Sequence, residues 1–192
     1  MQRGAAMAEP QQANPAVVGL AGFGFTTLIL QFHNLGWSGV GPVVSLGLVF
    51  GGLAQLIAGF QEFKTGNNFA MSAFCSFGSF WISLGFIFLF NHFGIYAASD
   101  TDLGFYLLGW TLYTGIMFIG AMRLHGAFAV VFLTLTIGFA LLTAARFGHP
   151  ALTKAAAIDL IICALAAWYT MASIIFAQVF GRPVLPVGKP WI

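Results

Sequence analysis

The sequence predicts an all-α membrane protein, a compact bundle of six transmembrane helices. Of its 192 residues, 59% are hydrophobic and only 6% are charged, whereas a soluble domain carries about a quarter charged residues. The sparse charges fall between long apolar blocks, of a length that crosses a hydrocarbon core roughly 30 Å thick as a helix. None of these blocks alternates apolar and polar residues as a barrel strand does. Lipid is therefore the expected solvent, in which helices satisfy their own backbone groups.

Short connections between the blocks predict one transmembrane domain (14–181), between a polar N-terminal tail (1–13) and a C-terminal tail (182–192). The first tail has no apolar core, so it is not interpreted as a cleaved signal. In chain order, the predicted helices are about Val17–Gln31, Pro42–Phe60, Phe69–Phe90, Gly104–Met122, Phe128–Ala145 and Ala155–Phe180.

Helix one is predicted to begin at Asn14-Pro15, an N-cap followed by a first-turn proline. Its free amides and dipole would attract an anion, although capping alone explains the dipeptide equally well. Asn67, before helix three, offers a second polar cap at the same depth. Further along helix one, Thr27 and Asn34 share a face with Phe23. The candidates for a substrate path are therefore Asn14, Thr27, Asn34 and Asn67.

Helix two carries a stripe of small residues that ends in two polar ones. Gly47 and Gly51 form a G-x-x-x-G close-packing motif. Gln55 falls near mid-bilayer, where lipid supplies no partner for its amide, and is a candidate for the path. Glu62 is expected at the cytoplasmic end, two residues before Lys64. It is either an ordinary interfacial carboxylate or a gate or coupling group.

Helix three shows the most regular polar pattern. Four serines recur at offsets of four, seven and eleven residues, which places them on one helix face: Ser72, Ser76, Ser79 and Ser83. One interpretation is close helix packing, with each hydroxyl bonded to the previous turn. The other is that they line a wet path through the membrane.

Basic residues predict the orientation. With six crossings, the termini and the second and fourth loops share one side, which holds five of the seven basic residues: Arg3, Lys64, Arg123, Arg182 and Lys189. The other side holds Arg146 and Lys154. The positive-inside rule therefore predicts cytoplasmic termini in a multi-pass protein of the cell (inner or plasma) membrane.

The remaining titratable groups suggest no metal site or cofactor. The four histidines lack the spacing of a metal pair. His33, beside Asn34, is a candidate pH-sensitive group at an entrance. Asp159 is expected to complement the dipole of helix six and to pair with Lys154. The net charge of +2, without a basic patch, suggests no nucleic-acid partner.

A series of short motifs runs from Asn14 to Gly188. It begins with N-P-A-V-V-G-L at 14–20 and continues with GFG at 22–24, TT at 26–27, HN at 33–34, GGLAQ at 51–55, EFK and GN within 62–67, SFGSFW at 76–81 and FGRPVLPVG at 180–188. In order and spacing, the series resembles the acetate uptake transporter family, which includes the bacterial succinate–acetate permeases and has the signature N-P-A-P-L-G-L. Val17-Val18 in place of Pro-Leu leaves the Asn-Pro cap intact.

The resemblance implies a homohexamer of six-helix protomers in the lipid bilayer, each with its own path for acetate and related small monocarboxylates, and succinate as a further candidate. It also implies a central apolar constriction, which by position falls at Phe23, Phe77 and Leu135. Family members usually have Tyr where Phe77 stands, so this chain lacks a hydroxyl there and its constriction is drier.

A physical difficulty follows from such a constriction. A carboxylic acid with a pKa of about 4 is nearly all ionised at neutral pH, and an ion crosses an apolar ring only at a high free-energy cost. The substrate crosses either protonated or as an anion whose lost hydration is replaced by waters, helix N-termini and hydroxyls. Both a channel and a proton-coupled carrier fit. The lack of an obvious inverted repeat or broken helix favours the channel.

Three other classes compete with this interpretation. A pore for a small neutral solute such as urea or ammonia would share the apolar ring and the polar stripe. A serine hydrolase built on Ser38 or Ser79 is disfavoured, because neither serine has a histidine at helical spacing to act as its base. A purely structural helical scaffold would show no flux at all.

Overall fold

The computed structural model describes residues 12–192, and these form six helices that are long and apolar enough to cross a membrane. The fold class predicted from the sequence is confirmed. The predicted tail 1–13, with Arg3, lies almost wholly outside the described residues. The helices are α1 (Ala16–Asn34), α2 (Gly41–Thr65), α3 (Asn68–Phe93), α4 (Asp100–Ala121), α5 (Gly126–Arg146) and α6 (Leu152–Phe180).

Several helices extend beyond the apolar blocks because polar residues cap them. Asn14 Oδ1 accepts the Ala16 amide at 2.9 Å and caps α1. In α4, which begins four residues before the predicted Gly104, Ser99 and Asp102 form a reciprocal capping box. Hydropathy detects the apolar part of a helix, whereas capping decides where it begins.

The helices contact one another in chain order, and α6 returns to α1, so the bundle closes into a ring. Close approaches tighten the ring on one side. A side chain on Gly24 of α1 would collide with Trp168 of α6, and one on Gly138 of α5 would collide with Leu160 of α6. Between α3 and α4 the backbones stand farther apart, and large aromatic rings fill the space. The ring of helices encloses the apolar core.

The middle of α2 is a π-helical segment, Val49–Ala54. Its glycines allow the backbone to press against α1. A Cβ on Gly51 would collide with the Thr26 hydroxyl, and a Cβ on Gly22 would collide with the Phe50 carbonyl oxygen. A π segment inserts one extra residue into a helix and rotates the residues that follow it. It therefore sets which face of α2, from Gln55 onward, is turned to the interior of the ring.

The C-terminal segment, 182–192, folds back onto the connection between α4 and α5. The Ala127 amide donates to the Val187 carbonyl at 2.8 Å, and the Trp191 amide donates to the Met122 carbonyl at 2.8 Å. The Tyr169 hydroxyl donates to the Pro186 carbonyl at 2.8 Å. This segment therefore lies at the same end of the bundle as the start of α1, as six crossings require.

Candidate translocation path

Three cavities follow one another through the ring of helices. The distal cavity lies at the end opposite the start of α1, and the proximal cavity lies beside that start. The central cavity lies between them. Phe23 and Leu135 line both the distal and the central cavity, and Phe128 lines both the central and the proximal cavity. These shared side chains mark the two narrow points of a candidate path.

The central cavity is small and almost wholly apolar. Phe23, Phe77 and Leu135, which the resemblance assigns to the constriction, are all buried and all line it. The rings of Phe23 and Phe77 lie 5.8 Å apart between centroids. About 20 Å³ is open to the centres of water molecules, which is room for about one water on the usual criterion of 10–15 Å³. A carboxylate with four heavy atoms therefore passes only if these side chains move.

Among residues 12–192, Gln55 is the one polar residue that lines the central cavity. Its side chain is 1% exposed, and its Oε1 has no hydrogen-bond partner within residues 12–192. An unpaired amide oxygen in an apolar interior costs free energy. This atom can accept a hydrogen bond from a water molecule or a protonated acid that enters the cavity. Gln55 comes directly after the π segment of α2, which turns it inward.

The distal cavity carries a polar strip from α1. Thr27 and Asn34, both predicted for the path, line it together with Gln31, which the sequence reasoning missed. The Gln31 amide donates to the Thr27 carbonyl at 3.1 Å and accepts from Asn34 Nδ2 at 2.9 Å. The Thr27 hydroxyl oxygen has no partner in the described chain. The spacing of four and three residues between these side chains was the signal that could have identified Gln31.

The proximal cavity gathers three predicted residues, Asn14, Glu62 and Asn67. Glu62 is 2% exposed rather than an open interfacial carboxylate. Its Oε2 accepts from the Thr65 hydroxyl at 3.1 Å, and its Oε1 has no partner among the described residues. Ala16, the first residue of α1, lines the same cavity as this carboxylate. The N-terminus of α1, expected to attract an external anion, is therefore faced by the protein's own acid.

The serine face of α3 does not line any of these three cavities, which corrects the predicted serine-lined path. Ser72 and Ser83 share hydrogen bonds with the hydroxyls of Tyr113 and Tyr106 at 2.9 and 2.7 Å. Ser79 is exposed and donates to the Cys75 carbonyl. Ser76 is half-buried and lies on the same face. The opposite face of α3, which includes Phe77, lines the path instead.

Two further expectations need correction. His33 is not among the described residues that line the three cavities. Its Nδ1 is bonded to the Ser38 carbonyl at 3.2 Å and, facing an acceptor, must be the protonated nitrogen there. Asp159 does not pair with Lys154, and the ion pair found within residues 12–192 joins Arg146 to Asp100. A separation of five residues puts Asp159 and Lys154 on different faces of α6.

Comparison with known proteins identifies the family. Residues 1–186 match the model of the GPR1/FUN34/yaaH family. The chain belongs to this family. The succinate-acetate/proton symporter SatP of Escherichia coli (strain K12) is 39% identical over 186 residues, which cover 95% of this chain and 99% of that protein. Ammonia transport outward protein 2 of Saccharomyces cerevisiae is 40% identical over 167 residues, 82% of this chain and 59% of that protein.

A solved structure described as the bacterial acetate channel SatP superposes with a TM-score of 0.90 at 39% identity. The superposition covers 93% of this chain and all of that one (100%). The six-helix ring is therefore the fold of this GPR1/FUN34/yaaH member, which is a multi-pass membrane protein. SatP and the yeast relative are named as transport proteins, which argues against the serine hydrolase.

In this family member, an aromatic row on α4 supports the constriction from behind, and the sequence reasoning missed it. Tyr106, Trp110 and Tyr113 recur at helical spacing and pack against α3. The Phe77 ring lies 5.8 Å from Trp110 and 5.7 Å from Tyr113. Because Phe77 is held from behind and touches Phe23 in front, its rotation is restricted. The spacing of four and three residues was visible in the sequence, but lipid-facing aromatics show the same spacing.

Proposed function

We propose that this protein transports acetate and related small monocarboxylates through its own protomer, along the distal, central and proximal cavities. The observation that carries the proposal is a continuous series of cavities with polar groups at both ends and an apolar ring of Phe23, Phe77 and Leu135 between them. The similar proteins named SatP, a symporter of succinate and acetate and an acetate channel, support the substrate class. Succinate is the candidate larger substrate.

A substrate on this path would cross a short apolar segment, the central cavity, between two cavities that contain polar side chains. On the distal side of the apolar ring, polar contacts come from Thr27, Gln31 and Asn34. On the proximal side they come from Asn14 and Asn67. At the ring itself Gln55 is the one polar contact. A neutral acid or a partly dehydrated anion crosses such a step more easily than a fully hydrated ion. No basic residue lines the central cavity to trap an anion, so we expect weak binding and high flux.

The test is uptake of labelled acetate into liposomes containing the purified protein, over a pH series and with or without an imposed proton gradient. Accumulation above equilibrium that depends on the gradient identifies a proton-coupled carrier. Rapid flux that only equilibrates identifies a channel. A complete lack of acetate flux contradicts the proposal.

A second candidate is a path for a small neutral solute such as ammonia or urea. The apolar central cavity, with room for about one water molecule, and the name of the yeast ammonia-transport relative favour it. Ammonia entry raises the pH inside a liposome, whereas acetic acid entry lowers it. A pH-sensitive dye trapped in the same liposomes therefore distinguishes the two substrates by the sign of the signal.

We further propose that the protein is a homohexamer in the cell (inner or plasma) membrane, with both termini cytoplasmic. Lys64, Arg123, Arg182 and Lys189 lie in or beside the connections at the end that holds the C-terminal segment, which supports this orientation. Large apolar side chains remain exposed on the outer faces of α4 and α6, where lipid or neighbouring protomers would cover them. Mass measurement in detergent tests the hexamer, and protease access to 182–192 in sealed vesicles tests the orientation.

A further inference from the structure

Arg146 is the one charged residue among the described residues that line the distal cavity. It is the last residue of α5, where a cation is favoured by the helix dipole. The polar residues deeper in this cavity, Thr27, Gln31 and Asn34, carry no charge. An anion that approaches the bundle from this end therefore meets a single positive group before it reaches the apolar ring.

Within the part of the chain that the structure describes, Arg146 forms a hydrogen bond through one of its nitrogen atoms. Its Nη1 donates to Asp100 Oδ1 at 2.6 Å, and the two side chains are 41% and 71% exposed. An ion pair with this exposure contributes little to stability and exchanges readily with solvent ions. The planar guanidinium carries five N–H donors and matches a carboxylate with two parallel hydrogen bonds. Another carboxylate can therefore join Asp100 on Arg146 or replace it.

We propose that Arg146 binds the carboxylate of the substrate at the distal mouth, and that Asp100 competes with the substrate for the same guanidinium. Arg146 is thus a recruitment residue that raises the local concentration of the anion before it loses its water. Asp100 keeps the site weak, so that the bound anion leaves again into the cavity. This inference rests on the proposed transport of carboxylates.

A purely structural ion pair would behave differently under mutation. If the pair only ties α4 to α5, Arg146→Gln and Asp100→Asn each break it and have the same effect on transport. If Arg146 recruits the anion, the two substitutions have opposite effects. Arg146→Gln removes the attraction, whereas Asp100→Asn removes the competitor and leaves Arg146 free.

The experiment measures initial rates of labelled acetate uptake at pH 7 when acetate is supplied at the distal end. We expect Arg146→Gln to raise the half-saturating concentration by a factor of about 1.5 to 5, the range of one exposed charge pair. Asp100→Asn should lower it, and Arg146→Lys should fall between Arg146→Gln and the unmodified protein, because it keeps the charge but not the planar fork. The matched control is Lys154→Gln, since Lys154 is exposed near the same end and does not line the cavity.

Salt provides a second measurement. Exposed charges are screened within a Debye length of about 8 Å at physiological ionic strength and about 30 Å at 0.01 M. The difference between the unmodified protein and Arg146→Gln should therefore grow at low salt. Equal half-saturating concentrations at low salt, or effects of the same sign for Arg146→Gln and Asp100→Asn, would overturn the inference while acetate transport by the unmodified protein stands. Loss of transport by the unmodified protein itself would instead overturn the proposed function.

Discussion

Leu135 is the side chain at the narrow point that can be shortened without disturbing the aromatic cluster. It lines both the distal and the central cavity, opposite Phe23. We expect Leu135→Ala to widen the central cavity and raise the ratio of lactate to acetate flux, because lactate is the bulkier acid. The control is Ile137→Ala on the exposed face of the same helix, at 42% exposure. An unchanged flux ratio in Leu135→Ala would remove Leu135 from the constriction.

Substitution of Gln55 distinguishes a role of this residue in transport from a role in folding. Its Oε1 has no partner in the described chain, so Gln55→Leu removes a buried unsatisfied group and should leave thermal stability unchanged or higher. We expect acetate flux to fall about tenfold, which corresponds to roughly 1.4 kcal/mol in the barrier, because the dry step loses its only polar contact. Melting temperature and flux are measured on the same sample.

Gln31 is the control for that experiment, because it is a buried glutamine whose side chain is hydrogen-bonded. Both ends of its amide are bonded, to the Thr27 carbonyl and to Asn34. Gln31→Leu should therefore lower the melting temperature, because it removes both of these hydrogen bonds. Full flux in Gln55→Leu would show that the central cavity needs no polar contact.

Among the helices, α2 depends most on small residues. A Cβ on Gly51 would collide with the Thr26 hydroxyl at the π segment. We expect Gly51→Ala to lower the free energy of unfolding by about 1–3 kcal/mol, as overpacking does in tight interiors, and to reduce flux by rotating Gln55. Gly115→Ala in α4 is the control, because its Cβ would meet nothing closer than Thr136 Cγ2 at 4.0 Å. A fully stable and active Gly51→Ala would contradict the close contact.

The start of α5 predicts a pH dependence of stability. The Phe128 amide donates to Nδ1 of His125 at 3.2 Å, which requires that nitrogen to be unprotonated. Burial lowers the pKa of His125 below its ordinary value of 6.5. Between the folded and unfolded pKa values the unfolded chain binds more protons, so stability is full above about pH 6.5 and falls as the pH is lowered. His125→Asn keeps an N-cap without titration.

Thermal unfolding of both proteins between neutral and mildly acidic pH provides the check. The unmodified protein should lose stability on acidification more steeply than His125→Asn. Parallel curves would show that the pKa of His125 is the same in the folded and unfolded states, which contradicts the prediction.

On the scale of the whole molecule, the two ends of the path differ in charge. A buried carboxylate, Glu62, lines the proximal cavity, and an exposed arginine, Arg146, lines the distal one. If transport is coupled to protons, Glu62 is the acid placed to carry one. We expect Glu62→Gln to keep equilibrating acetate flux and to abolish accumulation driven by a proton gradient. Gradient-driven accumulation at the level of the unmodified protein would exclude Glu62 as the coupling group.

The sequence by itself determined the number of helices and their approximate extent. A helix in lipid must satisfy its own backbone groups, so apolar length is a local property that one segment reveals without its neighbours. The family resemblance placed Phe23, Phe77 and Leu135 together, and they do line one cavity. Asn14, Thr27, Asn34 and Gln55 also line these cavities, since polar side chains avoid lipid.

Only the tertiary structure decided which face of each helix lies toward the interior of the bundle. In a membrane both faces of a helix are apolar, so hydrophobic periodicity says little about rotation, and the packing of neighbouring helices determines it. The serines of α3 share a face as predicted, but the tyrosines of α4 occupy that face and turn it away from the path. Gln55 faces the path because a π segment rotates the second half of α2. The pairing of Arg146 with Asp100 joins residues 46 apart, so only the closed ring brings them together.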